Sequence, residues 1–146
     1  MTEIPDYASL PERAARTWPD RIALRFQGRS WTYREFADVV TRTEQVLRMR
    51  GIGAGTRTAL LIENRPEYVV AQFALARIGA VFVTPNPYWT EHEVRAALSE
   101  AHVVAAVYSQ PHRTVATELE IALPAEDLVG ATEARTRPEP GIFQGD

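Results

Sequence analysis

Three short apolar runs alternate with two helical patterns in the middle of the chain, and this alternation constrains the fold most strongly. The runs cover residues 58–62, 80–84 and 103–108, and the helical patterns between them cover about 66–78 and 91–100. Each run is almost continuously apolar, which indicates strands that are buried on both faces. Strands that alternate with helices form right-handed βαβ units. We therefore predict an α/β fold in which helices flank a parallel sheet.

The region before residue 57 predicts a β-hairpin and two further helices. Ile22–Phe26 and Trp31–Tyr33 have the composition of strands, and the glycine within residues 27–30 favours a turn between them. Helices are expected at about 10–17 and 33–50, and the second has an apolar stripe that should be buried. The stripe consists of Phe36, Val39, Val40, Thr43, Val46 and Leu47.

Helix boundaries have the clearest local signals. A hydroxyl residue followed three positions later by glutamate is the pattern of a capping box. This pattern begins at Ser9, Thr32 and Thr90. Asn64 is predicted to cap another helix, because Asn is a good N-cap and Pro66 is tolerated in a first turn. Gly51 and Gly79 follow helical segments and are predicted to end them in the left-handed conformation.

The last third of the chain has weaker patterns. Arg113–Ile121 is compatible with a helix, whereas the chain becomes polar beyond Pro124. The prolines and glycine of residues 135–141 are typical of an exposed linker. We therefore predict an N-terminal subdomain over residues 1–123 and a polar linker over residues 124–146.

The composition excludes several classes of function. The formal net charge of -3 provides no bulk attraction to nucleic acid. Cysteine is absent, which excludes disulfides, thiolate metal sites and cysteine nucleophiles. The first 20 residues lack the apolar core of a signal peptide, and no apolar run approaches the length of a membrane helix. We therefore expect a cytoplasmic protein without membrane insertion.

The carboxyl ends of the predicted strands are the best candidate for a binding site. These ends are residues 63–65, 84–87 and 108–110. Ligands of parallel α/β sheets usually bind beyond the carboxyl ends of the strands, so these segments could form one wall of a small-molecule cleft. Alternatively, Asn64 and Thr90 only cap helices, and the prolines only shape turns.

No other pattern predicts a functional site. The glycine-rich residues 51–55 follow a helix and precede a strand, whereas a phosphate-binding loop needs the opposite order, so we interpret them as a connector. His92, His102 and His112 lack the spacing of a helical metal pair and are expected to face solvent. Core or rim packing is expected for Trp18, Trp31 and Trp89. We predict no catalytic, cofactor-binding or metal-binding residue in this chain.

Five segments, in their order and spacing, carry a resemblance to a known family. They are PDRIAL (19–24), WTYREF (31–36), GIGAGTRTALL (51–61), NRPEY (64–68) and ARIGAVFVTPNP (76–87). Together they resemble the start of an AMP-forming acyl-activating enzyme, the superfamily of acyl-CoA synthetases, nonribosomal peptide adenylation domains and firefly luciferase. The resemblance covers about residues 10–110. It implies the N-terminal subdomain of the acyl-CoA synthetase-like fold.

The resemblance also implies a two-step reaction. A carboxylate attacks ATP, with magnesium, to give an acyl-adenylate and pyrophosphate, and a thiol, usually coenzyme A, then takes the acyl group. The family's phosphate loop, ribose-binding aspartate and catalytic lysine match no position here, and lysine is absent altogether. The chain is therefore expected to hold no cofactor itself and to need the remainder of the ligase, which would bind the carboxylic acid substrate.

Two hypotheses about the function follow. In the first, the chain is an N-terminal fragment of an acyl-CoA synthetase-like ligase and is inactive alone. In the second, it is a natural short, non-catalytic module for binding or assembly. Such a module would associate with itself or pair with a larger ligase, because strands cut off from their usual partners leave an apolar face.

Overall fold

The computed structural model describes residues 6–129 and 135–136, which form two sheets with flanking helices. In chain order the elements are α1 (Leu10–Thr17), β1 (Ile22–Phe26), β2 (Arg29–Thr32), α2 (Tyr33–Met49), β3 (Arg57–Leu61), α3 (Pro66–Ile78), β4 (Val81–Val83), α4 (Glu91–Glu100), β5 (Ala105–Tyr108), α5 (Arg113–Ala116), β6 (Ile121–Pro124), α6 (Glu126–Val129) and β7 (Arg135–Thr136). The predicted α/β class and the four predicted helices are confirmed. None of the helices among these residues is long and apolar enough to cross a membrane.

The larger sheet is parallel throughout, as the alternation of strands and helices predicted. Its strand order is β4-β3-β5-β6. Both neighbours of β3 run parallel to it, and β6 runs parallel to β5. The carboxyl ends of all four strands therefore lie at the same edge of the sheet.

The prediction of a helix over Arg113–Ile121 is wrong beyond its first turn. Helix α5 ends at Ala116, and Ile121 begins strand β6. The Thr117 hydroxyl donates to the carbonyl of Arg113 at 2.8 Å, a side-chain bond of the kind that competes with regular helix geometry. Residues 121–124 instead pair with β5 as strand β6, in which Leu123 is fully buried and the other three residues are half-buried.

The predicted hairpin is confirmed as β1 and β2. Its two turn residues, Gln27 and Gly28, have φ values of 49° and 76°, the combination of a type I′ turn. Strand β7 adds to the other side of β2 as a third antiparallel strand. Residues 135–136 are therefore in a strand rather than in the predicted linker, and residues 137–141 of that linker lie outside the described part of the chain.

The core lies on both faces of the parallel sheet. Helices α2, α3 and α6 cover one face, and α4 and α5 cover the other. The apolar stripe of α2 is buried as predicted, with Val40 and Leu47 fully inaccessible to solvent and Val46 packed at its margin. The Thr43 hydroxyl on this stripe donates to the Leu128 carbonyl of α6 at 3.3 Å, which ties the two helices together.

Two of the three predicted capping boxes form. Thr32 and Thr90 each accept from the backbone N–H three residues on, and the glutamate at that position accepts in return. Ser9 instead donates its hydroxyl to the carbonyl of Asp6, because a 3-10 turn precedes α1. The prediction of Asn64 as a cap is also wrong, since Arg65 is the residue before Pro66 and takes that position. Gly79 ends α3 with φ 82°, as predicted.

The predicted division of the chain at residue 123 stays a prediction. The structure shows that Pro124 still belongs to β6 and that α6 follows directly over residues 126–129. Leu128 of α6 is 2% exposed and packs into the core beside α2. The hydrophobic core therefore extends at least to α6, where burial of the apolar Leu128 side chain contributes to stability.

Candidate functional site

A cleft of about 560 Å³ lies at the carboxyl ends of the parallel strands. Its lining comes from residues 60–64, 84–87 and 111–112, with Tyr68 and Val94 from the adjoining helices. Two of the three strand ends singled out in the sequence therefore meet here. The third segment, 108–110, is not part of the lining, whereas Pro111 and His112 just beyond it are. This position matches the general location of ligand sites in open parallel sheets.

Glu63 and Ser109 join the ends of β3 and β5 beneath this cleft. The Ser109 hydroxyl is fully buried and donates to a carboxylate oxygen of Glu63. This hydrogen bond, helped by the backbone N–H of Glu63 and by Arg65, lowers the pKa of Glu63 below its ordinary value of 4.5 in spite of partial burial. Glu63 is therefore an ionised acceptor at the cleft wall at neutral pH.

Arg65 links two carboxylates at the start of α3. Its Nε donates to Glu67 at 2.5 Å, and its Nη1 lies 3.5 Å from Glu63. The hydrogen bond to Glu67 is the main reason that the pKa of Arg65 is raised. Glu67 is only 5% exposed, and burial of a carboxyl group is costly unless it is paired and hydrogen-bonded, as it is here by Arg65. Arg65 thus connects the first turn of α3, through Glu67, with Glu63 of the cleft lining.

The segment after β4 forms a tight, well-bonded loop at the rim of the cleft. The side-chain oxygen of Asn86 accepts from the backbone N–H of Tyr88 at 2.9 Å, and its carbonyl accepts from Trp89 at 3.0 Å. Two prolines, Pro85 and Pro87, restrict the backbone further. The loop consequently holds Tyr88 out in solvent, where its side chain is 93% exposed.

The structure confirms the predicted environment of some of the histidines and tryptophans but not of all of them. His92 and His102 are exposed as predicted, but His112 is half-buried and lines the cleft. The sequence signal that could have indicated this position is that His112 follows the end of β5 by only four residues. Trp31 is in the core, whereas Trp18 and Trp89 are more than 40% exposed. The part of the chain that the structure describes contains no group of acidic or histidine side chains able to hold a metal ion.

The glycine-rich connector does not fit a triphosphate. It lies between α2 and β3 as predicted. The N–H of Gly53 donates to the Thr56 hydroxyl at 3.0 Å, and that of Gly55 donates to the Gly79 carbonyl at 2.9 Å. Because these donors are already paired within the protein, they are not available to cradle an anion.

The cleft itself combines apolar walls with a few polar groups. Its side chains with hydrogen-bonding groups are Glu63, Asn64, Tyr68, Thr84, Asn86 and His112. Such a mixture suits a small organic molecule, with the apolar surface supplying contact area and the polar groups supplying orientation. The Ser109 hydroxyl, which donates to Glu63, is fully buried and does not line the cleft, so it is inaccessible to a molecule bound there.

Comparison with known proteins identifies the family of this chain. The family model described as AMP-binding enzyme matches residues 11–140. The chain therefore belongs to the AMP-binding enzyme family, which includes acyl-CoA synthetases and adenylation domains. The resemblance stated from the five sequence segments is confirmed.

The chain spans only a small part of the length of the relatives that it matches. The putative acyl-CoA synthetase YngI of Bacillus subtilis is 34% identical over 106 residues, which cover 71% of this chain and 19% of that protein. The N-terminal subdomain of NpsA from Klebsiella oxytoca superposes with a TM-score of 0.74 at 25% identity, over 92% of this chain and 36% of that chain. O-succinylbenzoate coenzyme A synthetase (MenE) of B. subtilis, in complex with AMP, shares the fold with a TM-score of 0.77 at 22% identity, over 93% of this chain and 35% of that chain.

Proposed function

We propose that this chain is the N-terminal part of an ATP-dependent acyl-CoA synthetase-like ligase. The whole enzyme would convert a carboxylic acid and ATP into an acyl-adenylate and pyrophosphate, and would then transfer the acyl group to coenzyme A. One observation carries the proposal: the family match extends over residues 11–140, yet the chain spans only 19% of the length of the relative YngI. Fatty acids are the substrate class that we expect, and the cytoplasm is the expected location.

In this proposal the chain supplies structure rather than catalysis. Reactions of this kind depend on positioning the reactants and on neutralising charge at the phosphates. The paired N–H groups of Gly53 and Gly55 leave no phosphate cradle in the connector, and the strand-end cleft presents the anionic Glu63. ATP, magnesium and coenzyme A would accordingly be held by later parts of the enzyme, with the cleft as one wall of its large domain.

The inactivity of the isolated chain is testable by pyrophosphate exchange. The purified chain is incubated with ATP, magnesium, labelled pyrophosphate and a panel of fatty and aryl acids, and ATP binding is measured by calorimetry. MenE of B. subtilis with its own acid is the positive control. The proposal expects no exchange above the blank and no ATP binding at millimolar concentration. Exchange with any acid, or tight ATP binding, would show that the chain holds its own catalytic site.

The second hypothesis, a short module for binding or assembly, also has an observation in its favour. The Tyr88 side chain is 93% exposed, and Trp89 beside it is 44% exposed, in a loop whose backbone is firmly bonded. Exposed aromatic side chains on a rigid loop are common at protein interfaces. A folded, monodisperse dimer without ATP binding supports this role, whereas aggregation or partial unfolding of the purified chain favours a plain fragment.

A further inference from the structure

The strand-end cleft presents one accessible charge, and that charge is negative. Among the Asp, Glu and Arg residues that the structure describes, Glu63 alone lines the cleft, and the chain contains no lysine. The Glu63 side chain is 52% exposed, so a molecule in the cleft can reach its carboxylate. The sign of this charge restricts which molecules the cleft can hold.

Neighbouring side chains orient the Glu63 carboxylate without cancelling its charge. The Ser109 hydroxyl, which donates to Oε2, is neutral. Nη1 of Arg65 lies 3.5 Å from Oε1, but Arg65 forms its shorter ion pair with the buried Glu67, so the charge of Glu63 is only partly compensated. An ionised carboxylate has about four acceptor positions, and these two neighbours leave positions on Glu63 for the donors of a ligand.

The rest of the lining is suited to a hydrocarbon group. Leu60, Ile62 and Val94 are buried residues of the lining, and the prolines at 85 and 87 add further apolar surface. The cleft volume of about 560 Å³ lies within the range of roughly 300–1,000 Å³ that is usual for small-molecule pockets. Apolar walls around one accessible anion complement a molecule that has a hydrocarbon body and a cationic end.

We propose that the strand-end cleft binds an organic amine, with the ammonium group at Glu63 and the hydrocarbon body against the apolar walls. An ammonium group carries three N–H donors and a positive charge, so it fills the open acceptor positions of the carboxylate in charge-assisted hydrogen bonds. A carboxylate or a phosphate in the same place would face Glu63 with a like charge. The inference goes beyond the proposed ligase function and does not depend on it, because it rests on the residues of the cleft alone.

Three molecules of equal size test the sign of the charge that the cleft prefers. Hexylamine, hexanol and hexanoate carry a cationic, a neutral and an anionic group on the same hydrocarbon body. Their binding to the purified chain is measured by NMR titration at pH 8 in dilute buffer, where salt screens charges least. Hexylamine is expected to bind about tenfold or more tightly than hexanol, and hexanoate is expected not to bind. The amide signals of residues 63, 64 and 112 in the lining should shift with hexylamine.

Two variants connect this preference to Glu63. Glu63→Gln keeps the size of the side chain and an oxygen that can accept from Ser109, and hexylamine should then bind no more tightly than hexanol. Glu100→Gln, at an exposed position at the end of α4, is the matched control and should keep the preference of the wild type. Thr84→Arg places a positive charge at an exposed position of the lining and should abolish hexylamine binding, which keeps the test informative if Glu63→Gln fails to fold.

Several results would overturn the proposal. They are a wild type that does not bind hexylamine, equal binding of hexylamine and hexanol, binding of hexanoate to the wild type, shifts confined to residues outside the cleft, and a preference for hexylamine that survives both Glu63→Gln and Thr84→Arg.

Discussion

Replacing Ser109 by alanine isolates the hydrogen bond that joins the ends of β3 and β5. The substitution removes the hydroxyl that donates to Glu63 but keeps the backbone N–H of residue 109, which donates to the Leu61 carbonyl at 2.9 Å. The backbone hydrogen bond is thereby preserved, and the substitution removes only the side-chain contacts of the hydroxyl, which are the bond to the Glu63 carboxylate and a longer contact of 3.3 Å to the Leu61 carbonyl. The exposed Ser99 on α4 provides a matched Ser→Ala control.

The size of the effect follows from the two partners. A hydrogen bond to a charged group contributes roughly 1.5–3 kcal/mol to stability. The Ser109 hydroxyl is fully buried, but the Glu63 side chain is 52% exposed, so solvent screens its charge. The expected loss for Ser109→Ala is therefore discounted to about 1 kcal/mol in the free energy of unfolding at pH 7.

The same bond predicts a pH dependence with a definite sign. The pKa of Glu63 is lower in the folded protein than its ordinary value of 4.5. The stability gained from this shift is therefore fully present above pH 4.5 and is lost as the pH falls through the lowered folded-state pKa. The difference between wild type and Ser109→Ala should accordingly shrink below pH 4.5.

Urea unfolding from pH 7 to pH 4 and NMR titration of the Glu63 carboxyl measure these effects. In Ser109→Ala, the pKa of Glu63 should rise toward 4.5, while Ser99→Ala should change neither its pKa nor the stability. An unchanged pKa in Ser109→Ala, or an equal loss of stability at every pH, would refute the reasoning and assign the role of Ser109 to packing alone.

Three further substitutions test the fold. Leu123→Ala should lower the free energy of unfolding, measured in urea, by about 3 kcal/mol, because Leu123 is fully buried in β6. Leu119 is half-buried, so Leu119→Ala should lower the free energy of unfolding clearly less. Equal losses of stability in the two variants would argue against a core position for Leu123. Thr90→Ala should cost about 1 kcal/mol by removing the capping box of α4, and an unchanged thermal midpoint would contradict that cap. Gly28→Ala should cost about 1 kcal/mol in the same urea assay through its φ of 76°, whereas Gly53→Ala, at an unstrained position with open space, should cost less.

Local signals in the sequence were enough to predict the helices and most of the strands. Thr32 and Thr90 carry both halves of their capping boxes within four residues, so no distant contact is needed to place them. Gly79 likewise ends α3 by its own left-handed conformation. Asn64 was misassigned although the signal was present, because Pro66 in the first turn leaves Arg65 as the cap.

Features that depend on contacts between residues far apart in the chain could not be predicted from the sequence. Residues 121–124 form a strand because β5 lies beside them, and the same letters are compatible with the end of a helix. The placement of His112 in the cleft and the bond from Ser109 to Glu63 join residues that are far apart in the chain or on different elements. The location of the cleft at the strand ends was predictable, whereas the residues that line it are determined by tertiary packing.

The intact mass of the native protein in its source cells tests the central claim most directly. An antibody raised against this chain would capture the protein from a cell extract, and mass spectrometry would give its full size. The proposal of a longer acyl-activating ligase predicts a mass well above 16.3 kDa. A single native species near 16.3 kDa would contradict that claim and would make the short binding or assembly module the better account.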